Sequence, residues 1–257
     1  MKRMQSTVIL SSGNIDDFNV RVNNLEIVVP PRGKGRTADH TELYSLALLL
    51  RCPAVREDLE FPIEVIHRDR PDFLIRMPNC EIGIEHVEAV SQNEALIASL
   101  REEGYGPECH FVRRSIPGEP LLTRKEAIRE IEADKPGPAW CGNSPEREWA
   151  EAMAYFVKRK IERMQKPGFE TFDERWLLVY DNWRLPAPDP HKSLAAFLAR
   201  SDANVLRAAV KRIYVVDDKH LWELSGGGSV HASAQKNSLL TRIGLTRGSP
   251  TGTAVQS

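Results

Sequence analysis

Asp72 and Glu85 stand where chemistry is easiest to suspect in this chain. Asp72 follows Pro71 and opens the apolar run Phe73-Leu74-Ile75; Glu85 lies deep in the run Ile82-Gly83-Ile84-Glu85-His86-Val87-Glu88. Met77-Pro78-Asn79-Cys80 breaks the two runs, and β-branched or aromatic runs separated by Pro and Asn read as a hairpin. A half-buried strand ordinarily prefers an apolar or neutral residue at such positions. Two carboxylates brought together across a sheet repel, and they persist most readily with a cation or a basic side chain between them. An oxygen-rich pair suits Mg²⁺, which keeps several waters and takes one or two protein carboxylates.

Pro71-Asp72, a spacer of 12 residues and Glu85 on an apolar strand resemble the metal-binding half of the PD-(D/E)xK nuclease superfamily. The resemblance implies an α/β fold with a restriction-endonuclease-like core, a central mixed β-sheet flanked by helices in the order α-β-β-β-α-β. It implies a Mg²⁺- or Mn²⁺-dependent endonuclease acting on nucleic acid, DNA in preference to RNA. Asp72, Glu85 and His86 (through its backbone carbonyl) would hold the metal. Glu42, on the helix that opens the core, would supply an extra acid, although the helix dipole alone also favours an acid there. Such nucleases act as homodimers or with partner proteins, here of a defence or mobile-element system.

In that family a lysine two residues after the Glu steadies the attacking water, and this chain has Val87 there. Strand alternation puts Gly83, Glu85 and Val87 on one face and Ile84, His86 and Glu88 on the other. Three readings remain open. The lysine is replaced from the following long helix by Lys158 or Lys160, with Lys158 favoured, because a positive charge beside the reacting oxygen is the requirement. Alternatively Glu88, through a bulge, or His86 takes over. Or the protein is an inactive nuclease-fold module acting with a protein partner, its acids held by Arg70 or Arg76.

Around this centre, residues 1–36 read as two short strands (7–10 and 25–29) and a loop. Arg32, Lys34 and Arg36 in that loop are candidate phosphate contacts, or simply solvated charges. The nuclease-like domain spans 37–224. Helix 41–51 has Leu43, Leu46, Ala47 and Leu50 on one face. A strand over 61–67 leads into the hairpin, and helix 93–103 follows it. An irregular insertion at about 105–145 contains helix 123–133. A long helix over 145–165 carries Trp149, Met153, Val157, Ile161 and Met164 as a stripe. The apolar run 175–181 reads as a strand buried on both faces. Helices 191–200 and 204–209 precede strand 212–216 and its partner 221–224. The Gly/Ser/Thr-rich stretch 225–257 reads as a disordered tail.

A formal net charge of −1 over 257 residues argues against a protein that coats nucleic acid independently of sequence. The widely spaced Cys52, Cys80, Cys109 and Cys141 form no CxxC pair, which disfavours zinc. HExxH, GxSxG and P-loop motifs are absent. No apolar run is long enough to span a bilayer, and the basic start lacks an apolar signal segment. The expectation is a cytoplasmic protein.

Overall fold

In the computed structural model, which describes residues 6–226 and 228–232, eight strands form one mixed sheet in sequence order. The first four, β1 (Thr7–Ser12), β2 (Ile63–His67), β3 (Phe73–Arg76) and β4 (Glu81–Ala89), pair antiparallel. Next, β5 (Glu174–Asp181) and β6 (Arg212–Val216) join β4 in a parallel block, and β7 (His220–Glu223) and β8 (Ser229–Ala232) finish the sheet antiparallel. Parallel neighbours need long crossovers. Between β1 and β2 come α1 (Ile15–Asn24), α2 (Ala38–Arg51) and α3 (Pro53–Arg56); α4 (Gln92–Glu102), α5 (Arg124–Ala133) and α6 (Ser144–Met164) connect β4 to β5; α7 (Pro190–Leu198) and α8 (Ala203–Ala208) connect β5 to β6.

Alternation sorts the strand residues between two cores. Phe73, Ile75, Ile82, Ile84, Trp176 and Leu178 pack with Leu46, Leu49 and Leu50 of α2. Leu177, Val179, Ile213 and Val215 pack with Trp149, Met153, Val157 and Ile161 of α6. With both faces covered, the central strands are apolar almost throughout, as parallel strands must be.

The strand expected at 25–29 is absent; the structure instead forms α1, just before it. Asn14 caps this helix by accepting from the Asp17 amide, and Phe18 and Val22, one turn apart, bury against the α2 core. The β-branched run after it has no such anchor, and Val28 is exposed. Residues 7–12 do not stand apart from the domain: β1 pairs with β2 and extends its sheet. The disordered tail expected from 225 is also corrected at its start, because β8 pairs with β7 and Val230 packs on the α6-side core. Strand pairing there rests on backbone hydrogen bonds, which a Gly/Ser-rich composition does not forbid. The rest of that tail, from 233, lies outside the described residues.

The insertion at about 105–145 packs Ala127 and Ile131 of α5 on Ile97 and Leu100 of α4, which precedes it, in a small separate core. Gly106, at φ +79°, returns the chain over Ile131, where any Cβ would collide with that side chain.

Candidate active site

The hairpin delivers both acids to the α6 side of the sheet. In the β3–β4 register Phe73 faces Ile84, so the next step outward sets Asp72 opposite Glu85. The His86 amide donates to Asp72 Oδ2 at 2.6 Å and fixes that carboxylate at the end of the ladder. Lys160 Nζ then bridges the pair, 3.1 Å from Asp72 Oδ2 and 2.6 Å from Glu85 Oε2. The contact is well shielded: the side chains of Lys160, Asp72 and Glu85 are 11%, 18% and 5% exposed.

Which lysine arrives is decided by helical phase. Lys160 is three residues after Val157 and four before Met164, inside the buried stripe of α6. Lys158 is two residues away, about 200° around the helix, and is exposed to solvent. The preference for Lys158 is therefore corrected to Lys160. Val87 does not approach the acids as a substitute; it packs on the α6-side core.

Burial, and then the neighbouring Asp72 carboxylate, raise the Glu85 pKa, while the Lys160 ammonium opposes the rise. Glu85 Oε1 is buried without a hydrogen-bond partner, leaving an oxygen ligand in reserve. Beside it lies a cleft of about 10 Å³ lined by Pro71, Gly83, Met164, Phe169 and Phe172, room for about one water. Segment 165–173 closes this side. Phe172 sits where a Cβ on Gly83 would be, at 2.5 Å; Arg68 holds Glu170 at 2.9 Å; and the Glu81 amide donates to Asp173 at 2.8 Å.

Of the remaining predicted residues, Glu42 and His86 are on the α2 face. Glu42 does not join Asp72 and Glu85. Its Oε2 lies 2.9 Å from His67 Nε2, and with Asp39 these residues form a group whose ligand atoms lie within 4.8 Å of one another, close enough to bind a metal ion. Neither Asp39 nor His67 is among the residues that the sequence pattern singles out. The available signal was the i, i+3 spacing of Asp39 and Glu42 on one helix face. The His86 ring is buried on this side with Nε2 unpartnered. Burial foremost, then the charge of Lys160, lowers its pKa to about 3, so it is a neutral imidazole.

Glu88 is an ion-pair hub, accepting from Arg32 at 2.7 Å, Arg36 at 3.1 Å and Asn182 at 2.7 Å. It is not turned toward Asp72 or Glu85, and the two arginines proposed for phosphate are engaged by it. Lys34 is exposed. Neither Arg70 nor Arg76 holds the acids: Arg70 lies over the Phe169 ring and Arg76 pairs with Glu64 and Glu81.

On the α6 face, half-buried Asp181 accepts from Trp149 Nε1 at 2.6 Å and from the Trp183 amide at 3.0 Å. Burial raises its pKa to about 7 despite those bonds. Among the described residues no helix is long and apolar enough to cross a membrane. Comparisons with protein-family models, curated proteins and solved structures find no match to this chain.

Proposed function

We propose that the protein is a divalent-metal-dependent nuclease of PD-(D/E)xK type, hydrolysing phosphodiester bonds of DNA in preference to RNA. The observation that carries this reading is the bridge from Lys160 to Asp72 and Glu85: two hairpin acids and one lysine converge from elements 88 residues apart in the chain. In this reading the restriction-endonuclease-like core comprises α2, β2, β3, β4, α6 and β5, with α5 in the insertion at about 105–145. The donor set fits Mg²⁺ or Mn²⁺, since both side chains offer hard oxygen and Glu85 keeps one oxygen without a partner. Asp72 and Glu85 would hold the ion, and the group of Asp39, Glu42 and His67 is a second candidate position.

A bound divalent ion supplies Lewis acidity and a water of lowered pKa. The chain's own residues do the rest. The His86 amide orients Asp72, and the surrounding apolar packing limits bulk water around the acids. Lys160, already held beside the acids, sets a positive charge next to the attacking water oxygen, a preorganised form of electrostatic stabilisation. Water oxygen bonds to phosphorus, the P–O3′ bond breaks, and the departing oxygen takes a proton, leaving a 5′-phosphate and a 3′-hydroxyl.

The test is cleavage of plasmid and single-stranded DNA with Mg²⁺ or Mn²⁺, beside Asp72→Ala and Glu85→Ala. Metal-dependent cutting by the natural sequence and none by either folded variant is the expected result; undiminished cutting by both overturns the assignment. One observation favours the rival reading, an inactive module with a protein partner in a defence or mobile-element system: Lys160 already occupies the space between the acids, beside a cleft that admits only about one water. In that case metal ions add no stability and no cutting occurs.

A further inference from the structure

We propose that the cavity between α4, α5 and the segment around residues 110–114 is a binding site for the guanine base of a nucleotide, distinct from the acid–lysine centre. The cavity measures about 230 Å³, below the range of drug-sized sites and in keeping with one heteroaromatic ring system.

The argument begins with Ser91 and Glu94. Ser-x-x-Glu before a helix is the pattern of a capping box, in which the Glu reaches back to the N-cap amide. Thr123 and Glu126 of α5 complete that box. At α4 only half forms: Ser91 accepts from the Glu94 amide, and the Glu94 side chain lines the cavity instead. It is 9% exposed, Oε1 has no hydrogen-bond partner, and Oε2 stands 3.8 Å from Arg184, beyond hydrogen-bond range. Burial raises its pKa. A buried carboxylate with neither oxygen hydrogen-bonded, Oε2 meeting only the Arg184 charge at 3.8 Å, is costly unless a ligand satisfies it.

The surroundings select that ligand. Ile97 and Ile131 give apolar walls, and Phe111, 54% exposed, offers a ring face for stacking. Arg101, Arg113, Arg114, Lys135 and Arg184 outnumber Glu94, Glu130 and Asp134 around the cavity. That excess disfavours a cationic ligand such as a guanidinium and favours one with an anionic end. Arg113 is tied down by Glu119 and Glu130, Arg114 by Glu148, Arg101 by Asp134 and Arg184 by Glu94; exposed Lys135 is the cation available for phosphate.

Two acceptors side by side, neither hydrogen-bonded, require two adjacent donors, which the ring N–H and exocyclic amine of guanine provide. Adenine and cytosine set a donor beside an acceptor, and uracil and thymine flank one donor with carbonyls. Asn93 clamps the wall by bonding Pro120 O and the Leu122 amide, so the cavity is held open by the fold. Glu94 and Arg184 both follow the C-terminal ends of the parallel strands β4 and β5, the end at which open α/β sheets bind ligands.

The experiment is calorimetric titration of the full chain in EDTA with 5′-GMP, guanosine and 5′-AMP, and polarisation titration with guanine and adenine hexanucleotides. The expected result is GMP bound about tenfold or more tightly than AMP, this preference lost in the near-isosteric Glu94→Gln, and GMP but not guanosine weakened by Lys135→Ala. Tighter binding of GMP than of the guanine hexanucleotide identifies a free nucleotide as the ligand; the reverse identifies a guanine within a strand. Equal affinity for GMP and AMP, no binding of either, or an undiminished preference in Glu94→Gln overturns the proposal. Because no bond is cut in EDTA, failure here leaves the nuclease reading intact. Asp72→Ala, which disables cutting, should bind GMP unchanged.

Discussion

The two faces of the central sheet carry opposite solutions to the problem of buried charge. On the α6 face, Asp72 and Glu85 share the single Lys160 ammonium within one shielded contact. On the α2 face, Asp39, Glu42 and His67 gather around a histidine whose charge depends on protonation, and the neutral His86 ring lies buried with a nitrogen unpartnered. A permanent cation between two acids organises a site before any metal or substrate arrives. A histidine and two acids make a ligand set without fixing its charge. The contrast teaches why the α6 face is the better candidate for hydrolysis: it alone brings a lysine to the acids.

The sharpest way to break this contrast is to remove the lysine. Lys160→Met should lower the cleavage rate by about 10²–10³-fold, whereas Lys158→Met, on the exposed side of α6, should leave it unchanged; initial rates on supercoiled plasmid measure both. Lys160→Met should also melt earlier in EDTA, by less than the about 3–5 kcal/mol of an uncompensated buried charge, because Glu85 can take up a proton. Equal activity of the natural sequence and Lys160→Met would return the lysine to a purely structural role.

Metal binding separates the faces next. Mg²⁺ or Mn²⁺ at about a hundred times its dissociation constant should stabilise the protein by about 2.7 kcal/mol. Thermal shift should show this gain lost in Asp72→Asn and kept in Glu42→Gln. The opposite pattern would move the principal ion to the α2 face.

In EDTA the faces should also respond oppositely to pH. The buried His86 has its pKa lowered to about 3 from an ordinary 6.5, so the unfolded chain binds the extra proton in that window and stability rises with pH. Asp181 has its pKa raised to about 7 from an ordinary 3.8; there the folded chain keeps the proton and stability falls as pH rises. Each slope reaches at most about 1.4 kcal/mol per pH unit, and over the shared window they offset. Denaturant melts from pH 4 to 7 should show a net fall with pH in His86→Gln and a net rise in Asp181→Asn. Slopes in both variants matching the natural sequence would refute this pairing.

The smallest effect concerns the cover over Glu85. Gly83→Ala places a Cβ 2.5 Å from the Phe172 ring. The ring is partly exposed and can yield, so a loss of about 1 kcal/mol is expected, at the low end for overpacking. Phe172 should then become more accessible, as hydrogen exchange of segment 165–173 would report.

Much of this architecture was legible from periodicity. Alternation in the hairpin put Glu85 on the face opposite His86 and Glu88, and the stripe through Trp149, Met153, Val157, Ile161 and Met164 defined α6. These are local properties: a strand repeats every two residues and a helix every 3.6, so the sequence alone says which residues share a face. It also placed the acids at the hairpin, because a charge in an apolar strand stands out against its neighbours.

What local pattern could not supply was the phase of one element against another. Lys158 and Lys160 are chemically identical and equally near in sequence; only the packing of α6 on the sheet turns Lys160 to the acids. Glu42 likewise had the right type for a ligand, but the seating of α2 gave it His67 as a partner instead of Asp72. The pairing of Arg32 and Arg36 with Glu88, and the Glu94 carboxyl left without a hydrogen bond, depend on chain segments dozens of residues apart. Such contacts follow from how whole faces bury, a cooperative property of the fold that no single stretch encodes.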